Sequence, residues 1–183
     1  MSFLIKVYGS PVLRNKAELI DRIDDTHVTL VKNMFETMFS TQNGVGLAAP
    51  QVGISKQLIV LAPPGSEFPQ SAIINPEIIG QESEQSGEEA CLSIPGITGN
   101  VNRAYWVKIA GVALNGEIVS FEAEGFLARL LQHEIDHLRG VLFVDRLGPV
   151  RKKMLERKLK KLADLHGNEP TTTNSLSEGT FEL

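Results

Sequence analysis

Only one cysteine stands among 183 residues, so no internal disulfide can form. A lone thiol in a reducing compartment is either a small buried hydrophobe or a reactive or metal-binding group. No stretch approaches the roughly 20 apolar residues that span a bilayer. Residues 1–9 also lack the basic leader, apolar centre and small-residue cleavage site of a signal peptide. The expected location is therefore cytoplasmic, with no membrane partner. An excess of one charge is missing too. The 18 basic and 22 acidic side chains leave a net −4, which gives no general attraction to DNA or to an anionic surface. Contact with RNA would need a local basic patch. There is no internal repeat.

What is present suffices for one core. The chain is 42% hydrophobic and has the length of a single ordinary domain. Residues 3–7 read as a short strand. The run Asp24-Asp25-Thr26 can cap a helix over about 26–40, where Val31, Met34, Phe35, Met38 and Phe39 keep helical spacing on one face. A glycine-rich loop follows, then strands at 57–61, 72–74 and 77–79. The polar, acidic run 81–87 reads as a surface connection. Strands at 105–114 and 118–123 flank Asn115-Gly116, a two-residue hairpin signal. Helices are expected over 126–139, stopped by Gly140, and over 151–165, with Met154, Leu155, Leu159 and Leu162 as its apolar stripe. Strands and helices do not alternate regularly. The expected class is α+β: a single domain of short antiparallel or mixed sheets around a central helix, with a C-terminal helix. Residues 1–166 form that domain. The polar composition of 167–183 predicts a disordered tail.

The central helix carries chemistry. His133-Glu134-Ile135-Asp136-His137 puts two imidazoles four residues apart, on one face, where both can hold one ion. Glu134 lies about 100° around the helix from His133, within reach of water activated by that ion. Leu127, Leu131, Ile135 and Leu138 make a separate apolar stripe that would anchor the helix. A ligand face and an anchoring face on one helix are what a rigid site requires.

A catalytic site of this kind needs a third protein ligand and an open position. The metzincin spacing fails, because Phe143 stands where the third histidine would be. Glu156 follows at a tolerable distance, as in thermolysin-like enzymes. It lies among Arg151, Lys152, Lys153, Arg157 and Lys158, however, so a helix-surface ion pair explains it better. Cys91 is the remaining candidate, in a turn-rich segment. As a thiolate it would bind Zn²⁺ or Fe²⁺ strongly. Residue type alone leaves it between ligand and inert buried thiol.

Three segments, taken in order, resemble the peptide deformylase family. They are Gly44-Val45-Gly46-Leu47-Ala48-Ala49-Pro50-Gln51-Val52-Gly53, Glu89-Ala90-Cys91-Leu92-Ser93 and Gln132-His133-Glu134-Ile135-Asp136-His137. The resemblance runs from about Lys6 to Leu165. It implies that Cys91, His133 and His137 bind a divalent ion, Fe²⁺ in the cell, with Zn²⁺ or Ni²⁺ the alternatives in purified protein. It further implies Glu134 as general base and acid, Gln51 and the Leu92 N–H as oxyanion donors, and Gly46 as a backbone contact for substrate. The implied reaction removes the formyl group from formyl-methionine at the N-terminus of nascent chains and releases formate. One departure is visible: Ala90 stands where the family carries glycine. A methyl there would strain the turn if the position required positive φ.

Selection for methionine calls for an apolar pocket, for which Val45, Phe126, Leu130 and the stem of Arg129 are candidates. Ordinary core is an equal reading for each. Glu89 can pair with Arg103 and brace the cysteine loop. The basic run 151–161 reads first as a solvated helix face, with transient contact to ribosomal RNA as the alternative. A monomer is expected. Two other functions compete: a zinc endopeptidase using Glu156, and a non-catalytic binding module stabilised by a metal.

Overall fold

The computed structural model describes residues 2–166, so the expectation for the 167–183 tail lies outside the described residues. Three helices, α1 (Asp25–Phe39), α2 (Gly125–Leu138) and α3 (Pro149–His166), accompany five strands. The strands are β1 (Gly46–Ala48), β2 (Leu58–Leu61), β3 (Ser71–Ala90), β4 (Thr98–Val112) and β5 (Ile118–Glu124). All five form one antiparallel sheet in chain order, the topology that short local connections produce. The α+β expectation holds, with one continuous sheet carrying the fold.

Two expected elements differ. Residues 3–7 are extended but form no strand. Phe3 N–H donates to Thr37 Oγ1, Lys6 N–H to Gln51 O, and Val7 O accepts from Ser10 N–H, so these bonds go to scattered partners rather than one neighbouring strand. The acidic run 81–87 is not a connection but the middle of β3, paired with β4 from Val107 to Val101 at every position but Ser83, which has positive φ. An antiparallel strand can leave one face in water, so its polarity and its pairing are compatible. The β4–β5 turn is longer than two residues. The last ladder pair is Val112↔Ile118, and Gly116 N–H closes the turn on Ala113 O.

At its N-terminus, α1 is capped by the Asp24 side chain, which accepts from the N–H of Thr26 and His27. Its face turns on Leu30, Val31, Met34 and Met38, packed with Leu47, Leu58 and Val60. Phe39, placed on that face by spacing, is half exposed at the helix end.

The middle of the molecule is α2. Leu131, Ile135 and Leu138 meet Ile59, Leu61, Val107 and Ile109 of the sheet. Burial of each such side chain contributes about 1.5–3 kcal/mol. Every residue from Ala128 to Leu138 is buried, so the polar residues of this helix face protein rather than water. Gly140 ends it in left-handed backbone at φ 72°, where an added Cβ would collide with the Arg14 carbonyl. On the far side, Leu155 and Leu159 of α3 share a cluster with Cys91, Ile94, Ile97 and Phe143. Met154, assigned to the same stripe from sequence, is exposed.

Candidate metal centre and active site

The end of β3 delivers Cys91 to the flank of α2. Its Sγ lies 3.2 Å from His137 Nε2, and ligand atoms of Cys91, His133 and His137 all fall within 4.8 Å of one another. The three are buried. Glu156, the competing third ligand, is exposed on α3 and lies outside this group. Ala90 introduces no strain. It ends β3 opposite Thr98, and the described non-glycine residues with positive φ are Asn75 and Ser83.

The His133 ring is oriented from behind. Its Nδ1 donates to Glu89 Oε2 at 2.9 Å, which leaves Nε2 as the nitrogen that could take a metal ion. Glu89 is in turn gripped by Arg103, through Nε at 2.8 Å and Nη2 at 2.9 Å, and by Arg129 Nη1 at 2.8 Å. Burial alone would raise the Glu89 carboxyl. The Arg103 guanidinium and His133 outweigh it and hold the group well below the usual carboxylate range.

Burial dominates at Glu134 and pushes its carboxyl up to about 7. The neighbouring Glu89 charge adds to the rise, and His133 and Arg103 oppose it. Burial also holds the His137 imidazole well below its ordinary value. His133 moves the other way despite burial, because Cys91 and Glu89 hydrogen-bond its protonated form. A cation taking Nε2 would displace that proton.

The residues fit a divalent ion. Two imidazoles and a thiol form a donor set for borderline metals. Beside them Glu134 Oε2 and His137 Nδ1 are buried without a protein hydrogen-bond partner. Unpaired polar atoms are costly in a core, and their concentration here marks a place for something other than protein.

Gln51 is fixed within the short 3-10 turn Ala49–Val52. Its Oε1 accepts from Ala48 N–H at 2.8 Å, which aims Nε2 at Ser93 Oγ (3.2 Å) and Cys91 Sγ (3.5 Å). Gly46 lies on β1, the edge strand, where an added Cβ would stand 2.6 Å from Glu134 Oε1 and 2.8 Å from Leu130 Cδ1. Only a glycine lets the strand approach the carboxylate so closely.

A cleft of about 420 Å³ opens over these groups. Of the site residues expected from sequence, Gly46, Gln51, Cys91, Leu92, His133 and Glu134 line it, while His137 sits behind the thiol. Val45, Phe126, Arg129 and Leu130 also line it, so all four pocket candidates reach it, alongside residues 43–44 and 88–90. A larger groove of about 660 Å³ between residues 20–23 and the β4–β5 turn holds none of these groups. Sequence reading missed Ser93 as the partner of Gln51 and Asp136 as the partner of Arg103. It also missed the Arg129 guanidinium as a ligand of Glu89. A usable signal was present: Arg129 and Asp136 are charged positions on the same helix as the apolar stripe Leu127, Leu131, Ile135 and Leu138 and the two histidines.

Comparison with known proteins identifies the relatives of this fold. Residues 3–153 match the family model described as Polypeptide deformylase. A peptide deformylase of Thermodesulfovibrio yellowstonii is 47% identical over 158 residues, 85% of this chain and 95% of that one. One from Halothermothrix orenii is 48% identical over 151 residues, covering 82% and 97%. The crystal structure of a peptide deformylase from Legionella pneumophila aligns with a TM-score of 0.82 at 40% identity, over 93% of this chain and all of that one. A peptide deformylase from Synechococcus elongatus in complex with actinonin aligns at 0.77 and 40% identity, over 90% and 86%.

Proposed function

This chain belongs to the peptide deformylase family, and from that premise we propose that its cleft binds formyl-methionyl nascent peptides and hydrolyses the formyl amide. The observation that carries the reading is the convergence of Cys91, His133 and His137 beside a buried Glu134 carboxyl raised to about 7. Cys91, His133 and His137 would hold the ion. When bound, a divalent ion supplies Lewis acidity, lowering the pKa of water toward about 7 and polarising the formyl oxygen.

The chain's own groups do the rest. Glu134 takes a proton as water adds to the formyl carbon, then delivers it to the departing methionine nitrogen. Its raised pKa suits both directions of transfer at neutral pH. Gln51 Nε2 and the Leu92 N–H donate to the oxygen on which charge develops, each worth about 10²–10³ in rate. Gly46 lets the edge strand present its backbone to the peptide beside Glu134. The apolar surfaces of Val45, Phe126 and Leu130, with the Arg129 stem, receive the methionine side chain. The products are formate and a free N-terminus.

An N₂S donor set suits Fe²⁺ and Zn²⁺ alike. The family likeness favours Fe²⁺ in the cell, with Zn²⁺ or Ni²⁺ in purified protein. We assign the protein to the cytoplasm as a monomer, with neither DNA nor membrane as a partner. Among the described residues no helix is long and apolar enough to cross a membrane. The exposed basic residues of α3, from Arg151 to Lys161, are the surface for a transient ribosomal contact.

Formate release from a formyl-Met peptide, measured anaerobically with added Fe²⁺, tests the reading. Formate above the no-enzyme blank is expected, and it should vanish in Cys91→Ser. Cleavage of internal peptide bonds that survives Cys91→Ser would overturn it in favour of an endopeptidase.

A further inference from the structure

The carboxylate behind His133 does not stand alone. Glu89 is clamped by Arg103, and the third arm of Arg103 reaches Asp136. Asp136 is buried on α2 between the two histidines, and a second guanidinium holds it. Arg146 donates through Nε to Oδ2 and through Nη2 to Oδ1. The result is an unbroken chain of ion pairs from Arg146 through Asp136, Arg103 and Glu89 to His133 Nδ1.

Arg146 comes from the 3-10 turn Phe143–Arg146, which follows α2. The same turn sets the Phe143 ring against His133, at 6.2 Å between centroids and 23° between planes. One edge of the imidazole is therefore fixed by Glu89 and one face by Phe143. The ion pair to Asp136 ties the turn to α2.

We propose that Arg146 is a positioning residue for the metal-ligand set, holding His133 in place through Asp136, Arg103 and Glu89. The inference rests on the assignment of His133 as a ligand. Planar, two-pronged binding is what a guanidinium provides and an ammonium does not. With Arg146 gone, Asp136 would be left to Arg103 alone and free to rotate. The Arg103 grip on Glu89, and the Glu89 grip on the imidazole, would loosen in turn. Outer partners of metal ligands commonly contribute 10–100-fold in affinity, and a partner this far removed belongs at the low end.

The test is the rate at which a chelator strips Co²⁺ from the loaded protein, followed by the thiolate-to-cobalt absorption band. Arg146→Met should release the ion about tenfold faster and lower kcat while leaving KM for a formyl-Met peptide unchanged. Arg14→Met breaks a different ion pair on the same turn, to Asp145, and should release Co²⁺ at the parent rate. Equal acceleration in both variants would overturn the proposal, because a loosened turn would then explain it. So would an unchanged rate in Arg146→Met. Cys91→Ser separates this from the ligand assignment. A parent protein that binds Co²⁺ without showing the band, or a Cys91→Ser variant that holds Co²⁺ as firmly as the parent, overturns the ligand reading and this proposal together. A band lost there, with Arg146→Met unchanged, removes only the role of Arg146.

Discussion

At the scale of single residues, the proposed chemistry turns on one carboxyl group kept out of water. Glu134 is buried, its Oε2 has no protein partner, and its pKa stands at about 7 rather than the ordinary 4.5. The active form of a general base is deprotonated, so activity falls as pH drops through that pKa. A bound cation favours the carboxylate and draws the value down from 7 toward 4.5. The acid limb of kcat/KM should therefore lie between those two values. Glu134→Gln should retain the metal, lose about 10²–10⁴ in kcat and show no such limb. Metal content measured beside the pH profile checks both, and an unaltered limb in the variant would remove Glu134 from the proton transfer. Gly46 works at the same scale by having no side chain, since a methyl would press on Glu134 Oε1.

At the scale of elements, α2 illustrates what helical spacing can and cannot convey. Its apolar stripe and its His-Glu-x-x-His face follow from a repeat of about 3.6 residues. The burial of its polar residues does not, because that depends on β3, β4 and the turn after the helix folding over it. Strand β3 makes the same point in reverse. Its run of Gln, Glu and Ser reads as a connection, yet β4 pairs with all of it but Ser83. The start of α1 was legible, because an N-cap is a local device. Its Asp24 carboxyl is lowered to about 2 by hydrogen bonds with the Thr26 and His27 side chains, aided by the N–H groups of both residues. A depressed carboxyl stabilises the fold above its ordinary value of 3.8, and the contribution is lost as pH falls through about 2. The melting temperature of Asp24→Asn should lie below the parent's near neutrality and converge with it on acidification. A gap that stays constant down to the lowest pH would show that the cap charge does not contribute.

For the whole molecule, the arrangement separates chemistry from surface. The cleft opens at the edge strand β1, while α3 packs Leu155 and Leu159 against the cluster that holds Cys91 and turns its basic residues outward. Reversing Lys153, Arg157 and Lys160 to Glu should leave hydrolysis of a short formyl-Met peptide unchanged. Co-sedimentation with ribosomes at low salt should fall, since such contacts are electrostatic and screened by salt. Co-sedimentation equal to the parent would dispose of the ribosomal role for this face. The histidine pair, its adjacent carboxylate and the helix caps were determined by the sequence alone, because each depends on neighbours within a turn or two, and the α+β class followed from the order of elements along the chain. Where Cys91 stands relative to the two histidines was decided by tertiary structure. Its sulfur meets His137 across 46 positions of chain, and only the pairing of β3 with β4 and the docking of α2 bring them together. The Glu89 network is of the same kind, since a buried charge acquires its partners from whatever the fold places beside it.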